Sequence, residues 1–178
     1  MSDLPPSDVM QRLDRLEAES DIRRLIARYF RICDDLCPHT DLDALGSLFA
    51  HDAKWEGKGR YRNAFGGHEG RAAIVEMLAS YCTPEPHFVM NAHFLSSEDI
   101  QVDGDRAVGK WLKLQCSTYR DDTSDLRSGA LEIDFGRTAG KWEITHFRTT
   151  NIFSRQMDRW NDEETIFVPR SNLEGAPK

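Results

Sequence analysis

The chain has 178 residues, of which 39% are apolar and 30% charged, and 23 Lys and Arg against 30 Asp and Glu leave a net charge of -7. That size suits one domain over residues 1–178, and the composition excludes a disordered, collagen-like or coiled-coil polypeptide. The acidic surface would repel phosphate backbones, and no apolar run approaches the roughly 20 residues that cross a bilayer, so neither nucleic acid nor a membrane is an expected partner. The opening MSDLPPSDVM lacks the basic and apolar blocks of a secretory signal, which makes the cytoplasm the expected address. Cys33, Cys37, Cys82 and Cys116 are read as thiols: only the first two are close, and no second pair completes a metal site.

Ser7 can cap a helix through Val9, Leu13 and Leu16, and Ile22, Leu25, Ile26, Tyr29, Phe30 and Cys33 continue one apolar face at helical spacing. Thr40 with Asp43 resembles a capping box ahead of a second helix carrying Leu42, Leu45, Leu48 and Phe49. Ala53–Glu56 reads as a short strand. Glycines 57, 59, 66, 67 and 70 mark a loop, and Ile74, Met77, Leu78 and Tyr81 a third helix. From His87 the period changes to two, with turns at Val102–Asp105 and Thr138–Lys141 between strands near 87–101, 106–120, 127–136 and 141–155. Gln156 begins a polar tail with one apolar patch, Ile166–Val168. Helices followed by long antiparallel strands make an α+β domain in which a curved sheet buries one face against the helices.

Alternation in the first long strand puts His87, Val89, Asn91, His93 and Leu95 on one face, and in the last strand Trp142, Ile144, His146, Arg148 and Thr150. A face that mixes large apolar groups with a few polar ones suits a small-molecule pocket as well as a solvated surface. Trp55, Phe65, Met90, Trp111 and Phe147 have the size and polarity to line such a pocket for an aromatic or polycyclic ligand. Asp34 and Asp35 follow an apolar helix at the negative end of its dipole, where a carboxylate is disfavoured. A local rule broken in this way either starts a solvated loop or marks a site.

Tyr29-Phe30-Arg31-Ile32-Cys33-Asp34, DLDALGSLFAHDAKWEG, the GHEGRAAIVEML helix, the histidine strand with NAHFLSSEDI and the VDGDRA turn occur in an order that resembles the SnoaL-like branch of the nuclear transport factor 2-like superfamily. The resemblance covers about residues 10–155. It implies a cone-shaped, cystatin-like α+β barrel with three N-terminal helices on a curved, mainly antiparallel sheet around one deep pocket. Within the superfamily the pattern is most similar to bile acid 7α-dehydratase, and more distantly to scytalone dehydratase and hexachlorocyclohexane dehydrochlorinase. The resemblance implies Tyr29, Asp34 and His93 as catalytic residues, with Arg148 as a basic partner on the last strand. Asn91, His87, His146, Trp55 and Trp111 are the expected substrate contacts. An insertion, Leu36-Cys37-Pro38-His39, leaves Asp34 and Asp35 as alternatives for the inward carboxylate.

An aspartate on one imidazole nitrogen fixes the tautomer and raises the basicity of the other, and a tyrosine can donate to a developing oxyanion or a leaving group. Such a set needs neither a metal nor an organic cofactor. The expected activity is a lyase of the dehydratase or retro-aldol type on an apolar cyclic or aromatic small molecule. A double-bond isomerase, a non-catalytic ligand-binding protein and a subunit resembling the β subunit of ring-hydroxylating dioxygenases are the alternatives. Relatives pair the outer faces of their sheets, so the chain is expected to form a homo-oligomer, a trimer or a dimer.

Overall fold

A computed structural model describes residues 5–85, 87–158 and 160; the apolar patch at Ile166–Val168 lies outside them. Helix α1 runs Pro6–Asp34 with Pro5 at its N-cap, so a proline in the first turn, where no intrahelical N–H is needed, starts the helix ahead of Ser7. Its second half buries Ala18, Ile22, Leu25, Ile26, Tyr29, Phe30 and Cys33, whereas Val9, Met10, Leu13 and Leu16 in the first half are exposed. Helix α2 (Leu42–Gly46) is capped by Asp41, whose carboxylate accepts from the Ala44 N–H at 2.8 Å. Thr40, the expected cap, instead accepts from the Cys37 N–H and donates to the Asp35 carbonyl, closing the loop after α1.

Strand β1 (Phe49–Lys58) is longer than the expected four residues. The glycine-rich stretch after it holds a one-turn helix, α3 (Tyr61–Phe65), and a short strand, β2 (Gly67–Glu69), before α4 (Arg71–Ala79). The three expected helices are thus α1, α2 and α4, and α3 is an addition. Gly57 allows it: a Cβ there would stand 2.4 Å from the Tyr61 carbonyl oxygen, so only glycine lets α3 fold back onto β1.

Strands β3 (Phe88–Asp103), β4 (Arg106–Tyr119), β5 (Ser124–Thr138) and β6 (Lys141–Met157) form an antiparallel meander. The turn between β5 and β6 puts Ala139 and Gly140 at positive φ, 51° and 80°, the backbone a two-residue hairpin demands. β1 joins β6 in parallel, giving the order β2-β1-β6-β5-β4-β3. The sheet curls around the helices but does not close, because β2 and β3 remain edges.

Ile22, Ile26, Leu45, Phe49, Ile74, Ile133 and Ile144 form the driest part of the core between helices and sheet. On β4 the inward phase carries Ala107, Gly109, Trp111, Lys113, Gln115 and Ser117, while Leu112 and Leu114 face outward. This inversion of the usual polarity leaves polar groups under the helices and apolar ones on the outer surface. No described helix is long and apolar enough to cross a membrane.

Candidate active site

The end of α1 is clasped by β3. Asn91 Nδ2 donates to the Cys33 carbonyl at 3.1 Å, satisfying one of the helix's last acceptors, and His93 Nδ1 lies 2.6 Å from Asp34 Oδ1. A carboxylate only accepts, so Nδ1 carries the proton and Nε2 of the neutral ring keeps its lone pair. The His93 side chain is 7% exposed and its ring lies 4.9 Å from that of Phe30. Burial, aided by the Lys113 charge and opposed by Asp34, holds the imidazolium below its ordinary value of 6.5, so the ring is neutral near pH 7. Asp34 stands behind the histidine, whereas Asp35 is exposed; the inward carboxylate is Asp34.

His93 opens on a cavity of about 280 Å³. Tyr29, Phe30, Trp55, Phe65 and Phe147 form its apolar wall, with Trp55 and Phe147 stacked at 5.6 Å and 6° between planes. Trp55 Nε1 donates to the Tyr29 hydroxyl oxygen at 3.2 Å, which leaves the phenol proton for another acceptor. Burial raises the Tyr29 hydroxyl well above its ordinary 10.0, so it stays a donor at any physiological pH. Tyr81, His87, Phe88 and Tyr119 cluster at the outer end, where Tyr119 donates to Asp125 and accepts from Arg127.

Lys113, Gln115, Tyr119, Arg127 and Thr149 also line this cavity and were not anticipated. The available signal was the phase of β4: Lys113, Gln115 and Ser117 share alternation with Trp111, an obvious core residue. Gln115 donates to Asn91 Oδ1 at 3.0 Å and Ser117 donates to the same oxygen at 2.8 Å, so the polar floor is one connected network.

Of the expected contacts, Tyr29, Trp55, His87, Asn91 and His93 come together here, and three others do not. Arg148 and His146 lie on the opposite face of β6. Asp134 pairs with His146 and Phe135 with Ile144, so Thr145 is an extra residue, and this bulge reverses the alternation of the residues from His146 to Asn151. Phe147 and Thr149 therefore point inward. Outside, Arg148 is held by Asp134 and Glu132 while donating to His146 Nδ1, and His146 Nε2 donates to Glu56 at 2.7 Å. Trp111 is buried but misses the cavity. Its ring folds back along β4 over Gly109, where a Cβ would meet Trp111 Cη2 at 2.2 Å, and its N–H donates to Glu98 at 3.1 Å.

Similar bulges break β3. Val89 has no partner between the Phe88–Tyr119 and Met90–Thr118 pairs, so it is 66% exposed although alternation placed it beside Asn91 and His93. Met90, offered as a lining residue, does not line the cavity. Among the described residues, no group of three or more His, Cys, Asp or Glu is arranged to hold a metal ion.

Several solved structures share the architecture. A type 3 hexachlorocyclohexane dehydrochlorinase from Novosphingobium barchaimii superposes with a TM-score of 0.67 at 18% identity, covering 89% of this chain and 99% of its own. A protein described as a proposed scytalone dehydratase from Novosphingobium aromaticivorans gives 0.66 at 18% identity, with 84% and 97% covered. A nuclear transport factor 2-like protein with a cystatin-like fold from the same organism gives 0.62 at 26% identity, with 85% and 92% covered. None of the curated proteins matches. The model of the SnoaL-like domain matches residues 14–148, most of the chain and every element from α1 into β6, and the protein belongs to that family.

Proposed function

We propose that this protein is a cofactor-independent lyase acting on an apolar cyclic or aromatic small molecule, with His93 as general base, Asp34 as the residue that orients it and Tyr29 as proton donor. The observation that carries the reading is the 2.6 Å contact of Asp34 with His93 at the wall of a largely aromatic cavity. His93 Nε2 takes a proton from carbon and the C–H electron pair forms the new double bond. The leaving group departs with its own pair, and a departing hydroxide takes a proton from Tyr29 to leave as water. Two of the structurally similar proteins are named for eliminations, a dehydrochlorinase and a dehydratase, which supports this reaction class. A ligand-binding protein or a structural subunit needs no desolvated imidazole held by a carboxylate.

The test is a panel of cyclic hydroxy-ketones and aryl alcohols followed by ultraviolet absorbance, since elimination creates conjugation. At least one member is expected to turn over, and Tyr29→Phe, which keeps the ring's packing and loses one donor, should slow it less than loss of His93 does. Binding of panel members without turnover of any would favour the ligand-binding alternative. Proton return to a different carbon without loss of a group would instead identify an isomerase.

A homo-oligomer, trimer or dimer, belongs to the same proposal. Phe94, Leu112 and Leu114 on the outer faces of β3 and β4 are 58%, 43% and 38% exposed, and Phe94 pairs directly with Leu114. An apolar strip of this kind is normally covered. Light scattering at micromolar concentration should give a multiple of the 20.4 kDa chain mass, and a monomer would contradict it.

A further inference from the structure

Lys113 lines the cavity and its chemistry is left unused by the elimination scheme. The residue is 8% exposed, yet among the described residues its ammonium has no carboxylate within ion-pair distance. Among the described residues its three N–H donors have one acceptor, Gln115 Oε1 at 3.0 Å, and the Tyr61 ring lies 5.9 Å away beneath the charge. The orientation of Gln115 is set by a chain of amides. Asn91 donates to the Cys33 carbonyl, which turns its own oxygen toward the Gln115 amide nitrogen and so turns Gln115 Oε1 toward Lys113. The lysine is thereby held in place but not neutralised.

A second donor stands nearby. Thr149 Oγ1 is buried, lines the same cavity and has no hydrogen-bond partner among the described residues. Gly129 of β5 lies between the two: a Cβ there would stand 3.1 Å from the Thr150 carbonyl oxygen, 3.6 Å from Thr149 Oγ1 and 3.7 Å from Lys113 Cε, so glycine lets the two side chains approach. Lys113 and Thr149 line the same cavity, one a desolvated cation and the other an unsatisfied hydroxyl, and an anionic oxygen between them would remove both deficits.

We propose that Lys113 and Thr149 form the oxyanion-binding end of the pocket and take the enolate oxygen of a cyclic carbonyl substrate whose neighbouring C–H faces His93. The proposal rests on the assignment of His93 as base and gives the substrate its chemical class, a carbonyl compound with a leaving group on the β carbon. His93 removes the proton from the α carbon, the C–H pair becomes the C–C double bond of the enolate, and the carbonyl π pair moves onto the oxygen between Lys113 and Thr149. The pair on oxygen then returns, the C–C double bond shifts to join the α and β carbons, and the leaving group departs with the β-carbon bonding pair. Such donors act through charge that develops only during reaction.

The test uses 2-naphthol, an aromatic ring bearing an ionisable oxygen, and reads the naphtholate absorption band of the bound probe. Wild-type protein should bind it as naphtholate at pH 7, below the pH at which the free compound ionises. Lys113→Met should bind only neutral naphthol, about 30-fold or more weakly, as expected when one partner of a buried charge pair is removed. Thr149→Val should give an intermediate loss. A naphtholate band of equal strength in Lys113→Met, or none in the wild type, would overturn the proposal.

A second measurement needs no variant. Burial brings the Lys113 ammonium down to about 8, assisted by Arg127 and opposed by Cys33, Asp125 and Asp34; His93 on β3 and Tyr61 on α3 also face it. Affinity for 2-naphthoate, which stays ionised throughout, is read from pH 7 upward, where His93 is neutral, and should therefore fall as pH rises through about 8. Affinity that holds steady to pH 10 would contradict a charged lysine as the anion's partner. His93→Ala should keep naphtholate binding. If binding fails while His93→Ala still abolishes turnover, the lysine assignment alone falls; if binding holds while His93→Ala retains turnover, the assignment of the base falls.

Discussion

Replacing His93 by Ala will lower turnover by about 100-fold or more while leaving the fold intact, because positioned acid–base groups contribute at least that much. The side chain lies at the cavity wall, so its loss leaves a space that opens onto an existing cavity. Asp34→Asn should bring a loss of similar order for a different reason. An amide nitrogen donates where the carboxylate accepted, which favours the tautomer with its proton on Nε2 and removes the lone pair the reaction needs. The pH profile follows from the buried imidazole. Its folded pKa is below 6.5, so on the acid side activity should stay full at neutral pH and fall as the ring is protonated below 6.5. The same shift links to stability: the unfolded chain takes up this proton first, so stability is lost as pH falls from about 6.5 toward the folded value. An acid limb lying above 6.5, or Asp34→Asn at full activity, would contradict the assignment.

Phe49→Ala should destabilise the fold by about 3–5 kcal/mol, a large share of the roughly 5–15 kcal/mol that holds a domain together. Phe49 is 0% exposed, meets the Tyr29 ring edge-on at 5.7 Å and pairs with Ile144 where β1 begins its parallel run along β6. Its carbonyl also accepts from Arg71 Nε at 2.7 Å, which ties α4 to the same point. A midpoint shift in urea, with the slope unchanged, measures the loss. Phe49 does not line the cavity, so the activity of the molecules that remain folded should change little. A loss below about 1 kcal/mol would mean that the space collapses, and that this part of the core is looser than its burial implies.

The four long strands β3 to β6, their hairpin turns and the apolar face of the second half of α1 could be read from the sequence because each depends on local periodicity and turn chemistry. What could not be read is the phase of each strand after an irregularity. The extra residue at Thr145 moved His146 and Arg148 outside and Phe147 inside, and nothing in KWEITHFRTT marks it, since the bulge depends on the partner strand. Trp111 failed for another reason: its face was right, but a glycine two residues earlier gave the ring a place to lie other than the cavity. Lys113 and Gln115 were hidden by polarity, because Leu112 and Leu114 look like the buried phase of β4. Asp34 was visible as a carboxylate at the wrong end of a helix, and His93, 59 residues away, is what its placement there serves.

The central claim is that Asp34 and His93 work as one base, and a double-mutant cycle on turnover of a panel compound tests it most directly. If Asp34 acts only through the imidazole, adding Asp34→Asn to His93→Ala removes nothing further, and the double variant should match His93→Ala alone. Losses that multiply, with the double variant slower than His93→Ala by the full Asp34→Asn factor, would show two independent roles and contradict the account.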